Sequence, residues 1–197
     1  MTTMAEEELT IPIDIRLESE RCALRYPDQE DIDEIYAALS SPAFPRQLPL
    51  GQIRSRQGVA NWIRNCQSGC RNGVSFSWTI DRRSDGRLLG QVTLARMDQS
   101  GTWALAFWID PQSWGQGYAT EAASRLIAYW FQQMRAIKIW AGAGLWNESS
   151  VRVLEKLGMR YVKENPEGYQ IEGEFIPTKE FEITFPMWSD LKAEGSP

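Results

Sequence analysis

The stretch from Thr102 to Met134 limits the possible folds more than any other part of the chain. Thr102 to Ile109 (TWALAFWI) is apolar at nearly every position, which predicts a central strand covered on both faces. From Gly117 the apolar spacing changes to a period of 3.6, with Ala119, Ala122, Ala123, Leu126, Ile127, Trp130, Phe131 and Met134 forming one unbroken helical stripe. Ile137 to Leu145 (IKIWAGAGL) then reads as another strand. Strand, helix and strand in that order require a right-handed crossover, with the third element parallel to the Thr102 strand.

The flanking segments extend this unit into one α/β domain. Arg21 to Tyr26 reads as a short strand, followed by a helix carrying Ile32, Ile35, Tyr36 and Leu39. Ser41 to Gly51, with Pro42, Pro45 and Pro49, is irregular. A second helix starts near Ser55 and shows Val59, Trp62, Ile63 and Cys66 on one face. Val74 to Ile80 and Leu88 to Ala95 join the Thr102 run in an antiparallel meander, because only short polar connectors separate them. Asn147 to Leu157 is a last helix stopped by Gly158, and Met159 to Lys163 and Glu180 to Phe185 are strands linked by an irregular Gly- and Glu-rich stretch. The expected architecture is a mixed, mostly antiparallel central sheet flanked by about four helices. Its expected boundaries are a polar leader at 1–17, one domain at 18–187 and a tail at 188–197.

Composition narrows the chemistry. The 197 residues include no His, which removes imidazole acid-base pairs and His-ligated zinc, and no metal site is expected. Cys22, Cys66 and Cys70 are odd in number, as suits a reduced, cytoplasmic chain. A net charge of −5 without a basic run argues against nucleic acid as a partner. No apolar stretch approaches the ~20 residues of a membrane span, and no signal peptide opens the chain.

The bend between the central strand and the strong helix reads Gln112-Ser113-Trp114-Gly115-Gln116-Gly117-Tyr118-Ala119. Gly115-x-Gly117 permits a tight turn that leaves several N–H groups unpaired at a helix N-terminus, where a phosphate or pyrophosphate fits. A tight structural turn is the plainer reading of the glycines alone. The nucleoside-triphosphatase loop and the dinucleotide fingerprint are both absent.

The pattern Q/R-x-x-G-x-G/A, here Gln112 to Gly117, with Tyr118-Ala119-Thr120-Glu121-Ala122 and the later Asn147-Glu148-Ser149-Ser150 to Met159, resembles the GCN5-related N-acetyltransferase (GNAT) family. The RimJ/RimL-like branch is the nearest look, and the resemblance runs from about Arg21 to Phe185. It implies an acetyl-CoA-dependent acyltransferase in which amides from Trp114 to Ala119 hold the pyrophosphate, with Gln112, Trp114, Gly115, Gln116, Gly117, Tyr118 and Ala119 as cofactor-binding residues. It also implies a pantetheine arm lying along the Thr102 strand, so Phe107 and Ile109, two apart, become the backbone donors. Asn147 would close the other side of the arm, and Ser150 would protonate the departing thiolate. Both also suit simple capping of the last helix.

One position departs from the family pattern. Ala104 stands where the branch usually carries a Glu before the run that is Ala106-Phe107-Trp108 here. Glu167 resembles in position an acidic residue that some relatives use as base, and Asp98 and Asp110 are other candidates. Deprotonating an α-amine of pKa about 7.7 near pH 7 costs roughly 1 kcal/mol, against roughly 4 to 5 for a lysine near 10.4, so low-pKa amines are favoured. The expected activity is acetyl transfer to a primary amine, either a protein N-terminus or a small amine, by direct attack in a ternary complex. The alternative is a non-catalytic acyl-CoA-binding sensor or interaction module. Trp108 or Trp103, and the Ser41 to Gly51 loop with Arg46, Gln47 and Leu48, are expected to wall the acceptor site.

Overall fold

A computed structural model of the chain describes residues 15–98 and 100–195. Most of the leader assigned to residues 1–17 lies outside the described residues. The strands are β1 (Leu17–Glu18), β2 (Cys22–Arg25), β3 (Ser75–Arg82), β4 (Leu88–Arg96), β5 (Thr102–Ile109), β6 (Lys138–Gly144), β7 (Arg160–Ile171) and β8 (Glu174–Thr184). They form one sheet in the order β1-β2-β3-β4-β5-β6-β8-β7. The helices are α1 (Ile32–Ser40), α2 (Arg56–Arg71), α3 (Tyr118–Gln133), α4 (Glu148–Lys156) and α5 (Phe185–Ala193). None of them is long and apolar enough to cross a membrane.

The meander β3-β4-β5 is antiparallel, and β5 and β6 are parallel, as the period change predicts. Alternation along the strands divides the core in two. On one face Phe76, Trp78, Val92, Leu94, Trp103 and Leu105 pack with the α3 stripe, centred on the fully buried Trp130. Trp130 meets the rings of Trp103 at 5.0 Å and Phe76 at 5.2 Å. On the other face α1 and α2 supply Ile35, Leu39, Val59 and Ile63 against Leu88 and Trp108. The Ser55 hydroxyl caps α2 by accepting from the Gly58 amide at 3.1 Å. Without that oxygen the Gly58 N–H would be one of the orphan donors of the first turn.

Three features differ from the sequence expectation. The irregular stretch after Lys163 is a long hairpin, β7 and β8, turning at Glu172 and Gly173 with φ of 52° and 89°. β7 is an exposed edge strand, so it lacks the apolar alternation that marks a half-buried one, and register shifts around Pro166 and Gly168 interrupt it. The segment set aside as a tail is most of α5, begun by the Thr184 hydroxyl and Pro186, and it buries Trp188 against Phe131 with ring centroids 5.6 Å apart. Finally, β5 is not covered on both faces throughout, since Ala106 is exposed.

That exposure has a topological cause. β5 and β6 pair only at Thr102, Trp103 and Ala104, and beyond Ala104 the two strands separate. Ala106 on β5 and Gly142 on β6, both exposed, flank the gap.

Candidate active site

The gap runs into a cleft of about 610 Å³ lined by β5, the bend before α3, the start of α4 and the Ser41 to Gly51 loop. The Asp110 amide donates to Leu89 of β4 at 2.7 Å. Amides two apart in a strand point the same way, so Trp108 and Ala106 also face β4, while Phe107 and Ile109 face the edge that β6 has left. β5 therefore turns the amides of Phe107 and Ile109 toward the cleft with no strand beside them, and both residues line it.

The bend is built by two left-handed glycines, Gly115 at φ 74° and Gly117 at φ 82°. Gly117 is the N-cap of α3 and supplies no capping side chain. The first bond across that end runs from Glu121 N–H to Gly117 C=O at 3.0 Å, so the amides of Tyr118, Ala119 and Thr120 have no partner within the helix. With the helix dipole behind them they form a site for a diphosphate. Arg21 braces the bend from outside: Nη1 donates to the Gln116 carbonyl at 3.0 Å, Nε donates to Glu121 at 2.7 Å, and the guanidinium lies 4.8 Å over the Tyr118 ring. The Glu121 carboxyl sits below the usual range; burial works against this, and the Arg21 amide, Ser19 hydroxyl and Arg21 guanidinium outweigh it. The sequence reading gave Arg21 no role, since it is remote in the chain from the loop it supports.

On the opposite wall the Asn147 side-chain oxygen accepts from the Ser150 amide at 3.1 Å and the Ser149 hydroxyl at 2.8 Å, capping α4. The helix cap therefore uses the Ser150 backbone and leaves its hydroxyl out of the motif. Both residues line the cleft. Of the expected site residues, Phe107, Ile109, Trp114, Gly115, Gly117, Tyr118, Ala119, Asn147 and Ser150 converge there. Gln112, Gln116 and Glu167 are outside its lining: the Gln112 side chain accepts from Arg87 at 2.9 Å, and Glu167 is exposed on β7. The Trp114 indole donates to the Ile109 carbonyl at 2.7 Å, so its ring lies at the open edge of β5.

The other carboxylates considered have structural employment. Asp98 holds the β4–β5 turn through Ser100 and Thr102, and its pKa is lowered chiefly by the Ser100 hydroxyl. Asp110 is paired with Arg87 at 2.7 Å. Glu180 on β8 escaped the sequence reading. Its register partner is Gly142, and its carboxylate accepts from the Trp140 indole at 3.4 Å and the Asn165 amide at 2.9 Å, with the exposed Lys163 ammonium 3.8 Å away. Ala104 pairs with Trp140 in the parallel ladder, so this buried carboxylate is on the same face of the sheet as Ala104 and Ala106.

Trp108, not Trp103, faces the cleft. Its indole points to the Gln91 side-chain oxygen at 3.3 Å, which also accepts from Trp62 at 2.9 Å, and its ring meets Phe44 edge-on at 5.9 Å. From the Ser41 to Gly51 loop, Leu48 lines the cleft. Arg46 instead donates to the Leu39 and Gly51 carbonyls, and the Gln47 carbonyl accepts from Tyr169 of the hairpin at 2.9 Å.

Comparison with known proteins gives the same arrangement a context. The family model described as "Acetyltransferase (GNAT) domain" matches residues 21–160. The Bacillus subtilis protein named "Uncharacterized N-acetyltransferase YoaA" is 27% identical over 145 residues, covering 73% of this chain and 82% of that one. Mycobacterium smegmatis RimJ, solved in complex with CoA-disulfide, superposes with a TM-score of 0.77 at 18% identity, over 93% of this chain and 96% of its own. RimL, a ribosomal L7/L12 alpha-N-protein acetyltransferase solved in complex with coenzyme A, gives 0.78 at 12% identity, over 86% of this chain and 98% of its own. At these identities the two superpositions establish the shared fold.

Proposed function

From the premise that this chain belongs to the GNAT acetyltransferase family and is an acetyl-CoA-dependent acyltransferase, we propose that it acetylates a primary amine by direct attack within a ternary complex. The observation that carries this reading is the continuity of the open β5 edge with the unpaired amides of α3 in one cleft.

The residues fit acetyl-CoA. Amides of Tyr118, Ala119 and Thr120 match a pyrophosphate, and Phe107 and Ile109 match the amide groups of an extended arm. Arg152 and Lys156 add positive charge at the α4 end of the cleft. Bound acetyl-CoA supplies an acetyl group activated as a thioester. An amide N–H of β5 directed at that carbonyl stabilises the charge developing on its oxygen. The new N–C bond forms as the C–S bond breaks; the amine gives up one proton to solvent, and the thiolate takes one from the Ser150 hydroxyl, which regains a proton from solvent.

For the base, the family likeness points to Glu167 and the geometry favours Glu180. Both are outside the cleft lining; Glu167 faces solvent on the edge strand, while Glu180 is a buried carboxylate on the sheet face that flanks the gap. We assign Glu180 the task of drawing the ammonium in and Glu167 at most that of relaying its proton to water.

The function is tested by thermal shift and thiol release. CoA raises the melting temperature, and acetyl-CoA with an amine releases free thiol above the rate without acceptor. A shift without amine-dependent thiol supports the non-catalytic acyl-CoA-binding module instead. No shift with CoA removes both readings. Ser150→Ala keeps the helix cap, which uses the backbone amide, so its melting temperature and CoA affinity stay near those of the parent. Its turnover falls about one hundred-fold, the lower bound for losing a general acid. Unchanged turnover removes Ser150 from the mechanism.

A further inference from the structure

The two ends of the cleft differ in chemistry. Its charged lining residues, Glu148, Arg152 and Lys156, all stand on α4, at the end fitted to a phosphorylated cofactor. The opposite end is walled by Ala43, Phe44, Pro45, Leu48, Trp108 and Trp146, none of which carries a charge.

This wall is held in place. Phe44 and Trp108 are buried, and Trp108 is fixed between the Phe44 ring and the Gln91 side chain. The Tyr169 hydroxyl ties the β7–β8 hairpin to the Gln47 carbonyl, bringing the hairpin to the same loop. Of the carboxylates on this face, Asp110 is paired with Arg87 at 2.7 Å and Glu182 with Lys138 at 3.4 Å, while Glu180 is buried on β8.

A polyamine or aminoglycoside brings several ammonium groups, each needing a carboxylate or water in exchange for its hydration. A nucleotide-linked amine brings phosphates that need cations. The lining of the acceptor end carries no charged side chain for either, and Glu180 behind it can meet one ammonium. An aromatic or aliphatic body next to a single amine loses little on entering such a wall, and every methylene buried there strengthens binding roughly fourfold.

Building on the acetyltransferase reading, we propose that the acceptor is a monoamine on an apolar, preferably aromatic, body, either an arylalkylamine or a peptide N-terminus with an apolar first side chain. The amine points toward the gap between β5 and β6, and the body lies between Leu48, Phe44 and Trp108.

The test compares thiol release from acetyl-CoA with phenethylamine, the peptide Phe-Ala-Ala, putrescine and spermidine, for the parent chain, Leu48→Gln and Leu48→Glu. CoA thermal shifts on the same samples report folding and cofactor binding. The expected result is a kcat/KM at least tenfold higher for phenethylamine and Phe-Ala-Ala than for the two polyamines. Leu48→Glu narrows or reverses that ratio at least tenfold through KM, and Leu48→Gln narrows it less. Equal or better use of spermidine by the parent overturns the proposal, as does a CoA shift in the parent with no thiol from any acceptor. A Leu48→Glu variant that keeps the CoA shift and the parental selectivity overturns the placement of the body at Leu48. Failure of the parent to shift with CoA overturns the underlying acetyltransferase reading, and the proposal with it.

Discussion

Gly117→Val will bind CoA at least one hundred-fold more weakly than the parent chain. Gly117 sits at φ 82°, where a side chain costs roughly 1 to 2 kcal/mol and a β-branched one more. It also lines the cleft, and an added Cβ would stand 3.5 Å from Arg21 Nη2 before the two γ-carbons of valine are counted. Relief of the strain at this φ rotates the backbone of the bend, which turns the amides of Tyr118, Ala119 and Thr120 away from one focus. A hundred-fold loss corresponds to about 2.7 kcal/mol, the contribution of one or two charge-assisted hydrogen bonds. Gly86→Val is the control. Gly86 has a similar φ of 73° in the β3–β4 turn, with nothing within 4 Å of an added Cβ. It should lose stability while keeping CoA affinity. Titration calorimetry with CoA separates the two, and a Gly117→Val affinity within threefold of the parent would place the diphosphate elsewhere.

Arg25→Ala should be the most destabilising single change outside the apolar core, by about 3 to 5 kcal/mol. Its guanidinium bridges two buried carboxylates, donating to Asp31 at 2.6 and 3.0 Å and to Asp81 at 2.6 and 3.3 Å. Asp31 also accepts from the Thr79 hydroxyl and the Asp28 amide, so the network joins β2 and β3 to the turn that starts α1. Burial opposes the charge on Arg25, but its two carboxylate partners hold its pKa above the ordinary value. Burial also pushes the Asp81 carboxyl up, although Arg25 pulls it back. Without Arg25 that upward push loses its main opposition. A carboxyl with a raised native pKa costs the fold stability above that pKa, and the cost vanishes as pH falls through it and below the unfolded value. The deficit of the variant is therefore largest at neutral pH and shrinks toward pH 4. For a chain of this size it amounts to a drop in melting temperature of about 6 to 20 °C at pH 7. Adding Asp31→Asn and Asp81→Asn to Arg25→Met should restore most of the loss. A deficit that does not change between pH 7 and pH 4 would show that unpaired carboxylates are not its source.

The sequence disclosed those parts of the fold that side-chain spacing encodes. The meander, the α3 stripe, the crossover and the glycine bend all depend on which positions are apolar or lack a Cβ, and each was legible. The separation of β5 from β6 was not, because it concerns backbone groups at a strand edge, and TWALAFWI reads alike whether that edge is paired or open. The β7–β8 hairpin hid because β7 is charged and exposed, and α5 hid behind a strand assignment that ran one residue past Thr184. In the candidate site, the loop residues were found by pattern, whereas Arg21 and Glu180 owe their positions to strands remote in the chain. Ala104 marked a missing carboxylate, and only sheet order brings Glu180 to the same face from two strands away.

The short β5–β6 ladder has a mechanical consequence. Five strands stand on one side of it and three on the other, and within the sheet only three residue pairs stitch these two leaves together. A molecule seated along β5 would act as a rivet between them, so loading the cleft would also tighten the whole scaffold, and each release of spent ligand would loosen the hinge.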